Sequence, residues 1–382
     1  MPAAASRRRP ATEQTASRSH TPARGRLAWL DVARGLALLS MFVAHTAPSA
    51  GPGGVLNLSE FATAALFAAL IGASAHLETR AYGAGRAFAA ALIRAAALVG
   101  CAWVNSLFGA QVVDVLAHLA VVTVVMSLLA WLPTAPLAVA GACAGGVGIW
   151  LTHLGMAALV PQVVTPLVGH GADAMTLYRM LAEGFVLGPY RVPFLLAWAC
   201  LGAVLLRLLQ ARPQAGAPSA SRAPWRRGAA VVGVGAAVLA ASLLGGHRAL
   251  GAFPEPYAGS VWELLIAAGL VAGVFGVCAL VVPLLPGPAV RLLAIPGAMT
   301  LSVYVAHQAY LGWAVRDGAG PWLNARGTDD SWFNVAVLCL GGILLPLAWR
   351  ALVRAEPFRR GPIEGLVRLP TTPLHRRAGG TR

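Results

Sequence analysis

The chain has no lysine and little charge of either sign: only 11% of its 382 residues are charged. Soluble globular domains carry about a quarter charged residues, so a soluble fold is excluded. Acidic residues are the scarcer class, 14 against 29 basic ones, and every basic one is arginine. Cysteine is sparse as well. Cys101, Cys143, Cys200, Cys278 and Cys339 stand singly in apolar runs, with no CxxC and no Cys/His spacing, so no metal site is written in the sequence. Also missing are the GxxxxGK[ST] phosphate loop, HExxH and GxSxG, which leaves nucleotide hydrolysis, zinc peptidase and serine hydrolase chemistry without local support. No period of 20–50 residues repeats, so a solenoid is excluded.

What the chain has in place of charge is apolar length. Hydrophobic residues make up 58% of it and the mean hydropathy is +0.69. Stretches near 20 residues, the length that crosses a bilayer as a helix, recur ten times. They lie at about Leu27–Ala47, Leu58–His76, Ala87–Phe108, Val112–Trp131 and Leu137–Leu154, then Tyr190–Leu209, Gly228–Gly246, Ser260–Leu285, Ile295–Val315 and Trp332–Leu352. The expected fold is an all-α integral membrane protein, a polytopic bundle of about ten transmembrane helices.

The net charge of +15 reads as topology and not as nucleic-acid binding, because the arginines are unevenly placed. Most fall before residue 27, near residues 80–94, in the 210–227 linker and after Leu352. The positive-inside rule then puts both termini in the cytoplasm of a multi-pass cell-membrane protein. Three regions follow: a disordered basic tail over 1–26, a transmembrane domain over 27–352 and a basic cytoplasmic tail over 353–382. The connection Leu132–Pro136 carries no arginine and defines its hairpin least. The loop Gly155–Gly188, with His170, Asp173, Arg179 and Glu183, is long enough to shape a site. Gly72, Ala73 and Ser74 in the second helix permit close helix approach.

The first helix carries the most informative stretch, LDVARGLALLSMFVAH over Leu30–His45. At about 100° per residue, Asp31, Arg34 and His45 fall within roughly a 60° arc, one polar seam on an apolar helix. Asp31 and His45 are about 21 Å apart along the axis at 1.5 Å per residue, so the acid sits near one surface and the imidazole toward the other. Further ionisable groups gather at the His45 end: Glu60, Asp114, His118, Glu263 in SVWELL, and His307 in MTLSVYVAHQAY. Isolated in hydrocarbon each would cost several kcal/mol, so they are expected to pair or to line a wet cavity. His45, Glu263 and His307 are expected to converge. Glu60 and Asp114 also suit a plainer role as first-turn acids favoured by the helix dipole.

The Leu30–His45 stretch resembles the first transmembrane segment of the heparan-alpha-glucosaminide N-acetyltransferase catalytic-domain family, and is similar to the opening segment of the related acyltransferase-three membrane enzymes. GAMTLSVYVAH (297–307) and FRRGPIEGLVR (358–368) resemble that family's late helix and cytoplasmic ending, while the middle of the chain matches only in helix pattern. The resemblance implies acyl transfer, with acetyl-CoA as cytoplasmic donor and a sugar or glycan amine or hydroxyl as acceptor near the outer face.

In such a reaction His45 is the candidate base or nucleophile, with Glu263 or His307 orienting it or shuttling its proton. Arg34, Arg80 and Arg86, with Arg26 beside them, are candidate ligands for the donor's phosphates. The competing function is a secondary transporter or proton-coupled carrier, which also places histidines and carboxylates in its helices. Neither an inverted repeat nor paired broken helices is evident in the sequence to support it.

Overall fold

The computed structural model describes residues 27–159, 176, 182–211, 223–316 and 327–375. These are helical throughout, with no strand among the described residues. In chain order the helices are α1 (Ala28–Thr46), α2 (Leu58–Tyr82), α3 (Ala84–Ser106), α4 (Leu116–Leu129), α5 (Thr134–Leu159) and α6 (Val192–Gln210). They continue with α7 (Ala223–Leu250), α8 (Val261–Val281), α9 (Gly287–Ala298), α10 (Thr300–Ala314), α11 (Trp332–Leu352) and α12 (Pro362–His375). Among the described residues eight helices are long and apolar enough to cross a membrane, and α9 with α10 makes a ninth candidate span. The protein is a helical membrane protein.

The expected fourth span is the shortest. Its helix α4 has 14 residues, about 21 Å at 1.5 Å per residue against a hydrocarbon core of about 30 Å. His170, Asp173 and Arg179 of the expected long loop, and the tail over 1–26, lie outside the described residues.

Four helices form the centre. The apolar windows of α1, α6 and α8 are 50% buried inside the protein and that of α2 is 56%, whereas α11 buries 11%. Large apolar side chains on the outer helices, such as Trp103 and Leu345, face outward, as they do where lipid is the solvent. Central helices touch backbone to backbone. A methyl group on Gly72 of α2 would strike the Ala199 carbonyl of α6, and one on Gly202 of α6 would strike the Ala69 carbonyl of α2. This is the small-residue packing that the Gly72–Ser74 stretch led us to expect. The Trp198 indole adds a tie from α6 to α8, donating to the Leu264 carbonyl at 3.1 Å.

The hairpin that lacked a positive charge receives one from another helix. Arg207, in the last turn of α6, donates at 2.7 Å to the carbonyls of Ala130 and Leu132, at the end of α4, and at 3.2 Å to His76 Nδ1 of α2. A cation there meets the orphan carbonyls and the negative end of the helix dipole together.

The late span differs most from expectation. The sequence suggests one helix over Ile295–Val315, but the chain bends by 72° between α9 and α10. Pro296 lies inside α9 and removes an i→i−4 bond there. Helix α9 closes on Met299, whose φ of −117° and ψ of 29° are not helical, and Met299 N–H donates to the Pro296 carbonyl at 2.9 Å. The new start of α10 leaves N–H groups without intrahelical partners.

Glu364 of α12 supplies them. Its carboxylate accepts from Leu301 N–H at 2.7 Å, from Ser302 N–H at 3.0 Å and from the Ser302 hydroxyl. The region expected as a basic tail thus contains a helix that caps the half-helix carrying His307. Replacing Glu364 by alanine should lower the thermal stability of the lipid-embedded protein by about 1–3 kcal/mol, the cost of leaving a buried donor unsatisfied. Glutamine keeps an acceptor oxygen and should lose less. Unfolding of the alanine variant at the wild-type temperature would remove this role.

Candidate active site

The bend returns α10 alongside α1, and their two histidines meet. His45 Nδ1 lies 3.3 Å from His307 Nε2, and the rings stack with centroids 5.4 Å apart at 26°. His307 is buried at 2% exposure, while His45 is only partly covered. Phe42 packs at 5.7 Å and Tyr304 edge-on at 4.8 Å around the His307 ring.

The hydrogen bonds fix which nitrogens carry protons. His307 Nδ1 faces the Tyr304 carbonyl, which can only accept, so Nδ1 is the N–H and, in the neutral ring, Nε2 is an acceptor. His45 Nδ1 must then donate to it. That leaves the lone pair of His45 on Nε2, pointing away from His307, in a ring held from behind by a second ring. The arrangement has the logic of a base oriented by a further group.

Glu263 stands in a different set. Its carboxylate accepts from Gly259 N–H at 2.7 Å and lies 4.0 Å from Arg191 Nη1, while its own N–H donates to Ser260 Oγ at 3.1 Å. This is a capping pattern of the S-x-x-E kind at the start of α8, displaced by one residue from the usual reciprocal form. The expected convergence of three residues is therefore met by His45 and His307, and the partners of Glu263 are a helix start and an arginine.

Around Glu263 lies a small cavity of about 10 Å³, also lined by Glu60, Tyr190, Arg191 and Tyr257. That is close to the minimum that holds one water. Arg191 donates to the Tyr257 carbonyl at 3.0 Å, and burial pushes the Tyr257 phenol well above its ordinary range. Asp114 accepts from Asn105 Nδ2 at 2.5 Å and Leu116 N–H at 2.6 Å, which makes it a cap for α4. His118 donates from Nε2 to the Gly184 carbonyl at 2.6 Å. Among the described residues no group of three His, Cys, Asp or Glu is placed to hold a metal ion.

At the other end of α1, Arg34 is already engaged. It donates at 2.6 Å to Asp31 and at 2.6 Å to Ser74 Oγ of α2, which makes it a tie between helices. Arg80 and Arg86 are exposed on either side of the Gly83 turn between α2 and α3. Tyr304 was not anticipated, although its signal is legible: it precedes His307 by three positions and so shares its face. Arg191 and Arg207 each reach a carbonyl in another segment, and the sequence offers no sign of it.

The histidine contact predicts energetic coupling. In a double-mutant cycle of His45→Ala and His307→Ala, read by thermal or denaturant unfolding in lipid, the pair should couple by about 0.5–1.5 kcal/mol. Additive losses would contradict the hydrogen bond.

No known protein-family model matches the chain, and no curated protein matches it in sequence.

Proposed function

We propose that this protein is a multi-pass membrane acyltransferase. It moves an acyl group, acetyl in the simplest case, from a coenzyme A thioester on the cytoplasmic, arginine-rich side to an amine or hydroxyl of a sugar or glycan at the opposite face. Both termini lie on the donor side, in keeping with the arginine distribution. The observation that carries this reading is the chain of contacts from the Tyr304 carbonyl through His307 to His45, which leaves His45 Nε2 with a free lone pair.

In the reaction, His45 Nε2 takes the proton of the acceptor's O–H or N–H as that atom attacks the thioester carbonyl. The new bond to the acyl carbon forms, the C–S bond breaks, and the departing thiolate receives the proton back from the imidazolium. His307 holds the ring throughout, because His45 Nδ1 keeps its donor bond in both protonation states. Asp31 and His45 are separated by about 21 Å along α1, a span that an extended pantetheine arm can cover from the arginine-rich end.

One observation favours a second reading. The 72° break between α9 and α10 is the kind of discontinuous span that carriers use at a substrate site, so proton-coupled transport is the alternative. Acetyl transfer from acetyl-CoA to a panel of amino sugars and glycans, by purified protein in lipid, separates the two. Wild type should transfer, and His45→Ala should lose at least about 10²-fold, the scale of general-base catalysis. Equal rates would remove His45 as the base. Proton-dependent solute uptake by proteoliposomes, with no acyl transfer in any assay, would favour the carrier.

A further inference from the structure

At the Asp31 end of the bundle is a cavity of about 190 Å³. Its walls come from four segments distant in sequence: Asp31 of α1, Arg291 of α9, Arg350 at the end of α11, and Arg359 with Arg360 in the turn before α12. Its floor is apolar and includes Ala294, Ala298 and Met299, which borders the bend. Four guanidinium groups and one carboxylate thus surround one opening, an excess of three positive charges. The carboxylate is already bonded to Arg34 at 2.6 Å, and Arg360 shares Glu356 with Arg368, each at 3.6 Å.

The arginines outnumber the carboxylates around this space, and an anion that enters it is attracted. Arginine forks match the oxygens of a phosphate in two-point contacts, and basic pockets between transmembrane helices are suited to phosphate-bearing groups. Size narrows the choice. A space of 190 Å³ falls below the ~300–1,000 Å³ of sites that enclose a whole drug-sized molecule. It fits one charged group, with the remainder of its bearer lying outside or along the apolar floor.

We infer that this cavity is a binding site for a phosphate group carried on a larger, partly apolar molecule. Two sources share that chemistry, the phosphates of a coenzyme A-type nucleotide and the headgroup of an anionic lipid. Arg34, Arg80 and Arg86, which the sequence offered for phosphate contact, do not line it. The inference does not depend on acyl transfer, since a carrier with this cavity would hold the same group.

The test is binding to purified protein in phosphatidylcholine nanodiscs, with coenzyme A as one probe and nanodiscs containing phosphatidic acid as the other. Two variants are compared with wild type: Arg291→Gln/Arg359→Gln, which removes two exposed charges, and Ala294→Phe, which fills the cavity from its floor. Wild type should bind at least one probe, and each variant should weaken that binding at least tenfold with its melting temperature in phosphatidylcholine near that of wild type. Binding of coenzyme A alone identifies a nucleotide site, and binding of phosphatidic acid alone a lipid site. If the double variant does not fold, Ala294→Phe decides by the same criterion. No binding of either probe to wild type, or binding unchanged in a folded variant, would overturn the assignment.

Discussion

The contact on which this architecture turns is the one between the backbones of α1 and α9. A methyl group on Gly35 would meet the Leu293 carbonyl, and one on Gly297 would meet the Asp31 carbonyl. Two helices that close have no freedom to slide, so α9 is fixed in register against the first two turns of α1. The bend at Met299 then directs α10 along the rest of α1. His307, eight positions beyond Met299, comes to rest on His45. Ser331 N–H, just before α11, adds a bond to the Thr46 carbonyl at 2.9 Å and ties down the far end of α1.

A second constraint sorts the polar groups. In an apolar bundle each must find a partner within the protein, and the kind of partner separates scaffold from chemistry. Asp114, Glu263 and Glu364 all accept backbone N–H groups near helix starts, which is what an acid at a helix N-terminus does best. Arg34 and Arg207 tie helices together through side-chain and carbonyl acceptors. The histidine pair differs in being bonded ring to ring, so that one imidazole orients the other and the run of donors and acceptors ends on His45 Nε2. In the proposed reaction that nitrogen is the one that takes the acceptor's proton.

The helical architecture was legible because hydropathy reports burial in lipid directly: nine of the expected spans correspond to long apolar helices or to the bent pair, and α4 is the short one. The meeting of His45 and His307 was legible from cost, since two imidazoles at one depth of an apolar bundle need each other. The partner of Glu263 was not, although Ser260 three positions before it spelled out a cap. Pro296 and Gly297 marked a weak point in the late span, but a proline does not state the angle that packing against α1 will impose. Glu364 and the arginine cavity were hidden for a further reason. Both depend on where the chain after α11 docks, and nothing local to FRRGPIEGLVR specifies that α10 is its target.

One nitrogen, His45 Nε2, carries the proposed chemistry. Histidine-selective ¹⁵N NMR of the protein in lipid, with His45→Gln used to assign the signal, reports the tautomer of His45 directly. The predicted result is a protonated Nδ1 and an unprotonated Nε2 in the neutral ring. A neutral His45 protonated at Nε2 would leave its lone pair facing His307 and would contradict the account.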